Sequence, residues 1–355
     1  MSNAAEPRSR RRMPNFGFDR FSLLYLWAIF IVTFSLWSPQ IFPTMATVHI
    51  LASTQAVAGI VALAVLIPLV TGCFDLSVGA NANLAGMTAI MLQVNGVTGP
   101  VPAIIAGIGV GFLVGVVNGF VVVRLHVDSF IATLGMSAIL PAIQIIITGN
   151  QQPLGVQSSF FSNLTQTKVF GFQSAILYLI VIALFVWWLL DNTPVGRYMR
   201  AAGGNGEAAR LSGVRVDRWS WISLTLSGTI CGIAGVLFVS LSGPSLDFGD
   251  SLLLPAFAAV FLGSTQFTPG RANVAGTLLA IFALATGAQG LQIVSGVQWI
   301  AGLFNGVALI VAVALAASRA RSKSELKRSG VFRIRGRGTR RGSPETEHKV
   351  GELVD

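Results

Sequence analysis

The chain has 355 residues, of which 53% are hydrophobic and 11% charged, whereas soluble domains carry about 25% charged residues. That balance excludes a single soluble core and indicates a polytopic membrane protein. The net charge of +10 does not indicate nucleic-acid binding, because it sits in the two tails: five Arg in the first twenty residues and eleven Lys or Arg after residue 318.

Residues 1–20 are expected to form a basic cytoplasmic tail able to touch anionic membrane lipid. An apolar run follows with no A-x-A-like cleavage site, so it reads as an uncleaved first span. The predicted spans are 21–38, 48–70, 78–94, 101–123, 129–148, 172–190, 219–241, 252–267, 273–291 and 297–317. Pro68, Pro141 and Pro255 lie in or near spans and are expected to kink or break them. Together the spans make a transmembrane domain over 21–317, interrupted by a charged loop at 191–218, and 318–355 reads as a disordered basic cytoplasmic tail. With both termini inside, the outer segments hold one basic residue, Lys168, which satisfies the positive-inside rule.

The stretch DLSVGANANLAGMTAI (75–90) is echoed by QFTPGRANVAGTLLAI (266–281), and GVVNGFVVV (115–123) by GLFNGVALI (302–310). Two related halves follow, roughly spans 2–5 and 7–10, a frequent way of building a transporter. The expected fold is therefore an all-α polytopic membrane protein of about ten transmembrane helices in two related halves, with broken helices lining a central path. Glycines at helical spacing, such as Gly107, Gly111 and Gly115, would let helices approach closely. Cys73 and Cys231 have apolar neighbours and no CxxC spacing, so they read as buried thiols.

No catalytic set and no metal-ligand spacing emerges: His49, His126 and His348 are scattered, and no Walker A loop is present. Ionisable residues at membrane depth are scarce, with Asp75 the main one, which argues against a proton- or ion-coupled secondary carrier. Pro68, Gly72 and Gly79 bracket Asp75 and suggest a non-helical break, which lipid permits only where protein or a cavity surrounds it. The candidate path is polar and nearly uncharged: Gln55, Asp75, Ser77, Asn81, Asn83, Asn118, Thr133, Gln289 and Asn305, with Phe130 beside Thr133. Neutral amides and hydroxyls both donate and accept, which suits a polyhydroxylated neutral solute. The same side chains could instead bond from helix to helix.

Within the 191–218 loop, Asn205 can cap a two-turn helix whose first turn holds Glu207. Ala208 and Ala209 favour the helix, and Gly213 fits just past its end. Ala208 and Leu211 would share one face, free to dock on a soluble partner.

Four segments resemble a known family, the permease subunits of ribose-type ABC importers. CFDLSVG (73–79) resembles its G-I-D-L-S-V-G signature, and VVNGFVVVRLHVDSFIATLG (116–135) its N-G segment followed by F-I-A-T-L-G. TPVGRYMRAAGGNGEAARLSGVRVDR (193–218) resembles its G-R-x-x-x-A-x-G-x-N-x-x-A-A-x-x-S-G loop, and FAAVFLGSTQFTPGRANVAGTLLA (257–280) its late Gly-rich block. Departures are Phe74 in place of Ile, Leu140-Pro141 where an R-G turn is usual, and Gln266 to Pro269 in place of glycines. The resemblance implies a translocation subunit that performs no catalysis and binds no cofactor, ATP being bound and hydrolysed by a partner ABC ATPase. It also implies a second permease copy and a periplasmic or lipoprotein solute-binding protein, at the cell (inner) membrane. Gly204, Asn205, Glu207, Ala208, Ala209, Leu211 and Gly213 would form the segment coupled to the ATPase, and the solute would be a monosaccharide or related polyol. A branched-chain amino-acid ABC permease shares the overall pattern, but no buried charge pair is evident for a zwitterion.

Overall fold

The computed structural model describes residues 18–335 apart from 154–157 and 269, with side chains from 21 to 317. In chain order it contains α1 (Phe18–Trp37), α2 (Met45–Val70), α3 (Val78–Val94), α4 (Pro100–Arg124) and α5 (Ser129–Thr148). An outer segment follows, made of α6 (Ser159–Gln166) and a two-stranded hairpin, β1 (Lys168–Val169) and β2 (Phe172–Gln173). Then come α7 (Ala175–Trp187), extended by a π-helical turn at Trp188–Asn192, and the short helices α8 (Pro194–Gly204) and α9 (Gly206–Leu211). The chain closes with α10 (Val216–Ser242), α11 (Phe248–Gly263), α12 (Val274–Ser295) and α13 (Trp299–Arg335).

Each of the ten apolar stretches coincides with a helix: α1 to α5, α7 and α10 to α13. Among the described residues, seven of these are long and apolar enough to cross a membrane, while Phe21–Trp37 and Phe248–Gly263 are apolar but shorter. Pro68, Pro141 and Pro255 lie inside helices and break none of them; the chain breaks at 71–77, around Asp75 as expected, and also at 264–273. Two further readings need correction. The span expected to reach 267 stops at Gly263, where the Asn273 amide takes the Gly263 carbonyl. The tail expected from 318 begins as helix, because α13 runs on to Arg335 through a stretch without proline. The rest of that tail, like residues 1–17, lies outside the described residues.

α2 is the axis of the bundle. It is apolar all round, and 72% of its most apolar window is buried, against 17% for α5 and 6% for α13. It packs against α7, α10, α11 and α12. The halves interlock around it. The first echoing pair begins in a break and leads into a helix, so α2–break–α3 corresponds to α11–break–α12, and the second pair lies within α4 and α13. That register matches α1 to α10 and shifts the expected pairing of spans 2–5 with 7–10 by one helix, to α1–α4 with α10–α13. The two matched helices are exchanged: α10 packs on α3 and α4, while α1 packs on α12.

Glycine permits the close crossing of α4 and α10. A Cβ on Gly111 would collide with the backbone of Gly228 and Gly232, and one on Gly115 with that of Leu224 and Thr225. Gly111 and Gly115 therefore form the face of α4 on which the α10 backbone lies directly, while Gly107 meets the α3 backbone at Ala85. We predict that Gly111→Leu destabilises the chain by about 1–3 kcal/mol or more and lowers its thermal midpoint in detergent. Gly109→Leu, where nothing lies within 4 Å, leaves that midpoint unchanged.

Candidate solute cavity and coupling segment

Two breaks in the helices organise the polar side chains. At the first, α2 ends through Thr71 and Gly72, whose φ of 84° suits glycine. The freed backbone is taken up by α5: the Phe74 N–H donates to Ser129 Oγ at 3.0 Å, and the Leu76 N–H to Thr133 Oγ1 at 3.0 Å. Asp75 is 1% exposed and faces inward. One carboxylate oxygen accepts from the Ser77 N–H and hydroxyl, at 3.1 and 2.7 Å, and the other from Ser227 Oγ of α10 at 2.8 Å. Asn118 of α4 donates to Ser77 Oγ at 2.9 Å, and Asn81 reaches the carbonyls of Gly111 and Gly228.

The second break repeats the device with a neutral group. Gln266 stands where the echo places Asp75 and is likewise 1% exposed. Its oxygen accepts from the Leu23 N–H at 3.3 Å, and its nitrogen donates to Ser22 Oγ at 3.1 Å, both on α1. Asn273 caps α12, accepting from the Gly276 N–H at 2.7 Å, and donates to the Gly263 and Gln266 carbonyls. Each break thus fastens the helix that the two halves exchange.

A cavity of about 270 Å³ lies between α2, α10, α11, α12 and α13. Its polar lining is Thr54, Gln55, Ser251, Gln289, Gln292 and Asn305, and no Asp, Glu, Lys, Arg or His lines it. Gln289 and Gln292 share a face of α12 with Ala285 and Ala288, at helical spacing. Phe238 closes one wall, stacked on Phe248 with centroids 3.7 Å apart.

The sequence-derived path residues therefore separate into groups. Gln55 and Asn305 meet in the cavity. Asp75, Ser77, Asn81, Asn118 and Thr133 belong to the first break. Asn83 donates to the Leu246 carbonyl in the α10–α11 connection. Phe130 is 49% exposed on α5, edge-on to Phe74. Sequence reasoning passed over Gln292, Ser251 and Thr54; the three-residue step from Gln289 to Gln292 is the signal that could have found the first.

The 191–218 segment folds as two helices. α8 is started by Thr193, whose hydroxyl accepts from the Gly196 N–H, with Pro194 in the first turn. α9 is capped by Asn205, whose Oδ1 accepts from the Ala208 N–H at 3.1 Å, and Gly213 follows with φ 83°. Ala209 is buried, Ala208 is exposed and Leu211 is 90% exposed. Gly204 and Glu207 are exposed as well. Arg210 pairs with Asp217 at 2.7 Å and fastens α9 to the start of α10.

α8 touches both breaks. Gly203 lies so close to Val70, Thr71 and Gly72 that a Cβ there would collide with their backbone. Arg200 pairs with Asp191 and reaches the Ala272 carbonyl at 3.5 Å. Burial, and then the nearby Arg271, lower the pKa of Arg200, while Asp191 opposes them.

The family model described as "Branched-chain amino acid transport system / permease component" matches residues 47–313. The ribose import permease protein RbsC of Bacillus subtilis (strain 168) is 29% identical over 81% of this chain and 89% of its own length. The fructose import permease protein FrcC of Rhizobium meliloti is 30% identical, covering 76% of this chain and 77% of its own. The D-allose transport system permease protein AlsC of Escherichia coli (strain K12) is 27% identical, covering 86% and 95%. A family match spanning most of the chain, over a bundle of apolar helices, shows that this multi-pass membrane protein belongs to the permease components of the branched-chain amino acid transport family.

Proposed function

We propose that this chain is the translocating subunit of an ABC importer that carries a monosaccharide or related polyol. The observation that carries the reading is the cavity's chemistry. Four side-chain amides and two hydroxyls face a space with no ionisable residue in its wall. Such groups pair with sugar hydroxyls in either sense, whereas a zwitterionic amino acid would leave two charges desolvated and uncompensated. Relatives named for ribose, fructose and allose import point the same way.

In this mechanism the chain makes and breaks no covalent bond, and ATP is bound and hydrolysed by a separate ATPase pair. The ATPase docks on α9, and α8 carries its displacement to the breaks at 71–77 and 264–273. The first break ends α2 and the second joins α11 to α12, all three of which wall the cavity, so moving them alters access from one side to the other. A solute-binding protein delivers the sugar at the opposite face, and a second copy of this chain completes the permease. The weakly buried faces of α5 and α13 leave apolar surface for that copy and for lipid. The chain is placed in the cell (inner) membrane with both termini cytoplasmic. Arg124, Arg200 and Arg271 lie at the α8–α9 end, in keeping with the positive-inside rule.

Three outcomes are expected in proteoliposomes containing the partner ATPase and binding protein. Gln289→Ala lowers kcat/KM for monosaccharide uptake about fivefold to tenfold, the worth of one neutral hydrogen bond, while leucine uptake stays at background in both forms. Saturable leucine uptake, or sugar uptake driven by a proton or sodium gradient without ATP, overturns the reading. Leu211→Asp or Glu207→Arg reduces co-purification of the ATPase while the permease stays folded. Arg200→Gln retains the ATPase but raises the ATP hydrolysed per sugar transported, because the tie from α8 to the second break is lost.

A further inference from the structure

A second concavity opens where α4 ends and α10 begins. It encloses about 530 Å³ and presents Arg124, His126, Asp217, Arg218 and Trp221. The Arg124 guanidinium lies 6.0 Å from the centre of the Trp221 ring. That ring is edge-on to Phe120 and fills the space where a Cβ on Gly119 would sit. Arg218 lies 5.7 Å over Trp219, which stacks on Tyr198. The one carboxylate of the pocket, Asp217, is taken by Arg210 at 2.7 Å, and His126 Nδ1 contacts the Arg124 carbonyl at 3.2 Å. Among the described residues neither Arg124 nor Arg218 pairs with a carboxylate. The pocket is thus net cationic, on an aromatic floor of the kind found at membrane interfaces.

Its position on α4 indicates what occupies it. Arg124, Phe120, Val117 and Leu113 recur at steps of four, three and four residues and share one face. The three apolar members are 46%, 45% and 59% exposed. Eleven residues of helix rise about 16 Å, which matches one leaflet of a hydrocarbon core roughly 30 Å thick. Two unpaired guanidiniums therefore stand at the foot of an apolar strip one leaflet tall. A soluble anion would use only the foot, while a phospholipid uses both parts.

We propose that this pocket binds the phosphate of an anionic phospholipid, with an acyl chain lying along Phe120, Val117 and Leu113. The proposal rests on the membrane-spanning fold and is independent of which solute is carried. The phosphate sits between Arg124 and Arg218, tying the end of α4 to the start of α10 beside the α8–α9 segment. A lipid bound there bridges the foot of the glycine-packed crossing of α4 and α10.

The test is native mass spectrometry of the full-length chain in neutral detergent, titrated with dioleoyl phosphatidylglycerol, dioleoyl phosphatidylcholine or inorganic phosphate. Wild type is expected to retain phosphatidylglycerol at least about tenfold better than phosphatidylcholine, with no competition from millimolar phosphate. R124Q/R218Q loses that preference at an unchanged thermal midpoint, whereas Lys168→Gln, at the hairpin, retains it. Val117→Ser weakens lipid retention with both guanidiniums intact. Equal retention by wild type and R124Q/R218Q overturns the proposal, and so does competition by inorganic phosphate, which would mark a soluble-anion site. Loss of ATPase co-purification by R124Q/R218Q with lipid retention intact would assign the pocket to a protein partner and overturn it as well.

Discussion

Inside hydrocarbon no water is available to satisfy a peptide group, and the rest of this structure depends on how that constraint is met. A spanning helix meets it alone; a broken helix needs help from its neighbours. Here the help is specific. Ser129 and Thr133 of α5 accept the freed N–H groups at 71–77, and Asn273 serves the carbonyls at 264–273. Ties to other helices, from Ser129 and Thr133 of α5 and Ser227 of α10 at the first break and from α1 to Gln266 at the second, make each break also a fastening. A side chain that satisfies backbone across a helix crossing is committed there. Under the proposed reading, the groups that meet the solute are the half-buried amides of α2, α12 and α13.

The paired roles of Asp75 and Gln266 show that the fastening does not require charge. Both sit at echoing positions, both are 1% exposed, and both hold a helix contributed by the other half. Asp75 does so with a carboxylate accepting from two serines, Gln266 with an amide that donates and accepts. A buried polar group of either kind is tolerated when its hydrogen bonds are made. The buried acid of the first break thus finds its hydrogen-bond partners within the bundle.

Much of the architecture was legible in the sequence, since apolar length and loop charge are one-dimensional signals. The ten helical stretches, the break at Asp75 and the Asn205 cap were readable because each depends on neighbours within a few residues. The cavity was only partly readable, because its wall is drawn from helices more than 200 residues apart, such as those bearing Gln55 and Asn305. Pro141 and Pro255 remove one helical hydrogen bond each, and both helices run on through that loss. The true stops lie where other helices offer acceptors and donors. α8 was passed over although Thr193-Pro194 is a helix-start signal, because attention fell on the charges beyond it.

The exchange of α1 and α10 between the halves has a consequence for biogenesis. α1 is made long before its partner: the Trp27 indole N–H donates to Thr286 Oγ1, 259 residues later, at 2.9 Å. At 5 to 20 residues per second, synthesis of that interval takes on the order of tens of seconds. For that time α1 must sit in the membrane without its native neighbour, presenting Phe30 and Phe34, the rings later filled against Gly287 and Gly290. The first half cannot be finished before the second has been inserted. Docking of α1 is therefore a late step of assembly, and a chain truncated within α12 leaves α1 without the partner that holds it.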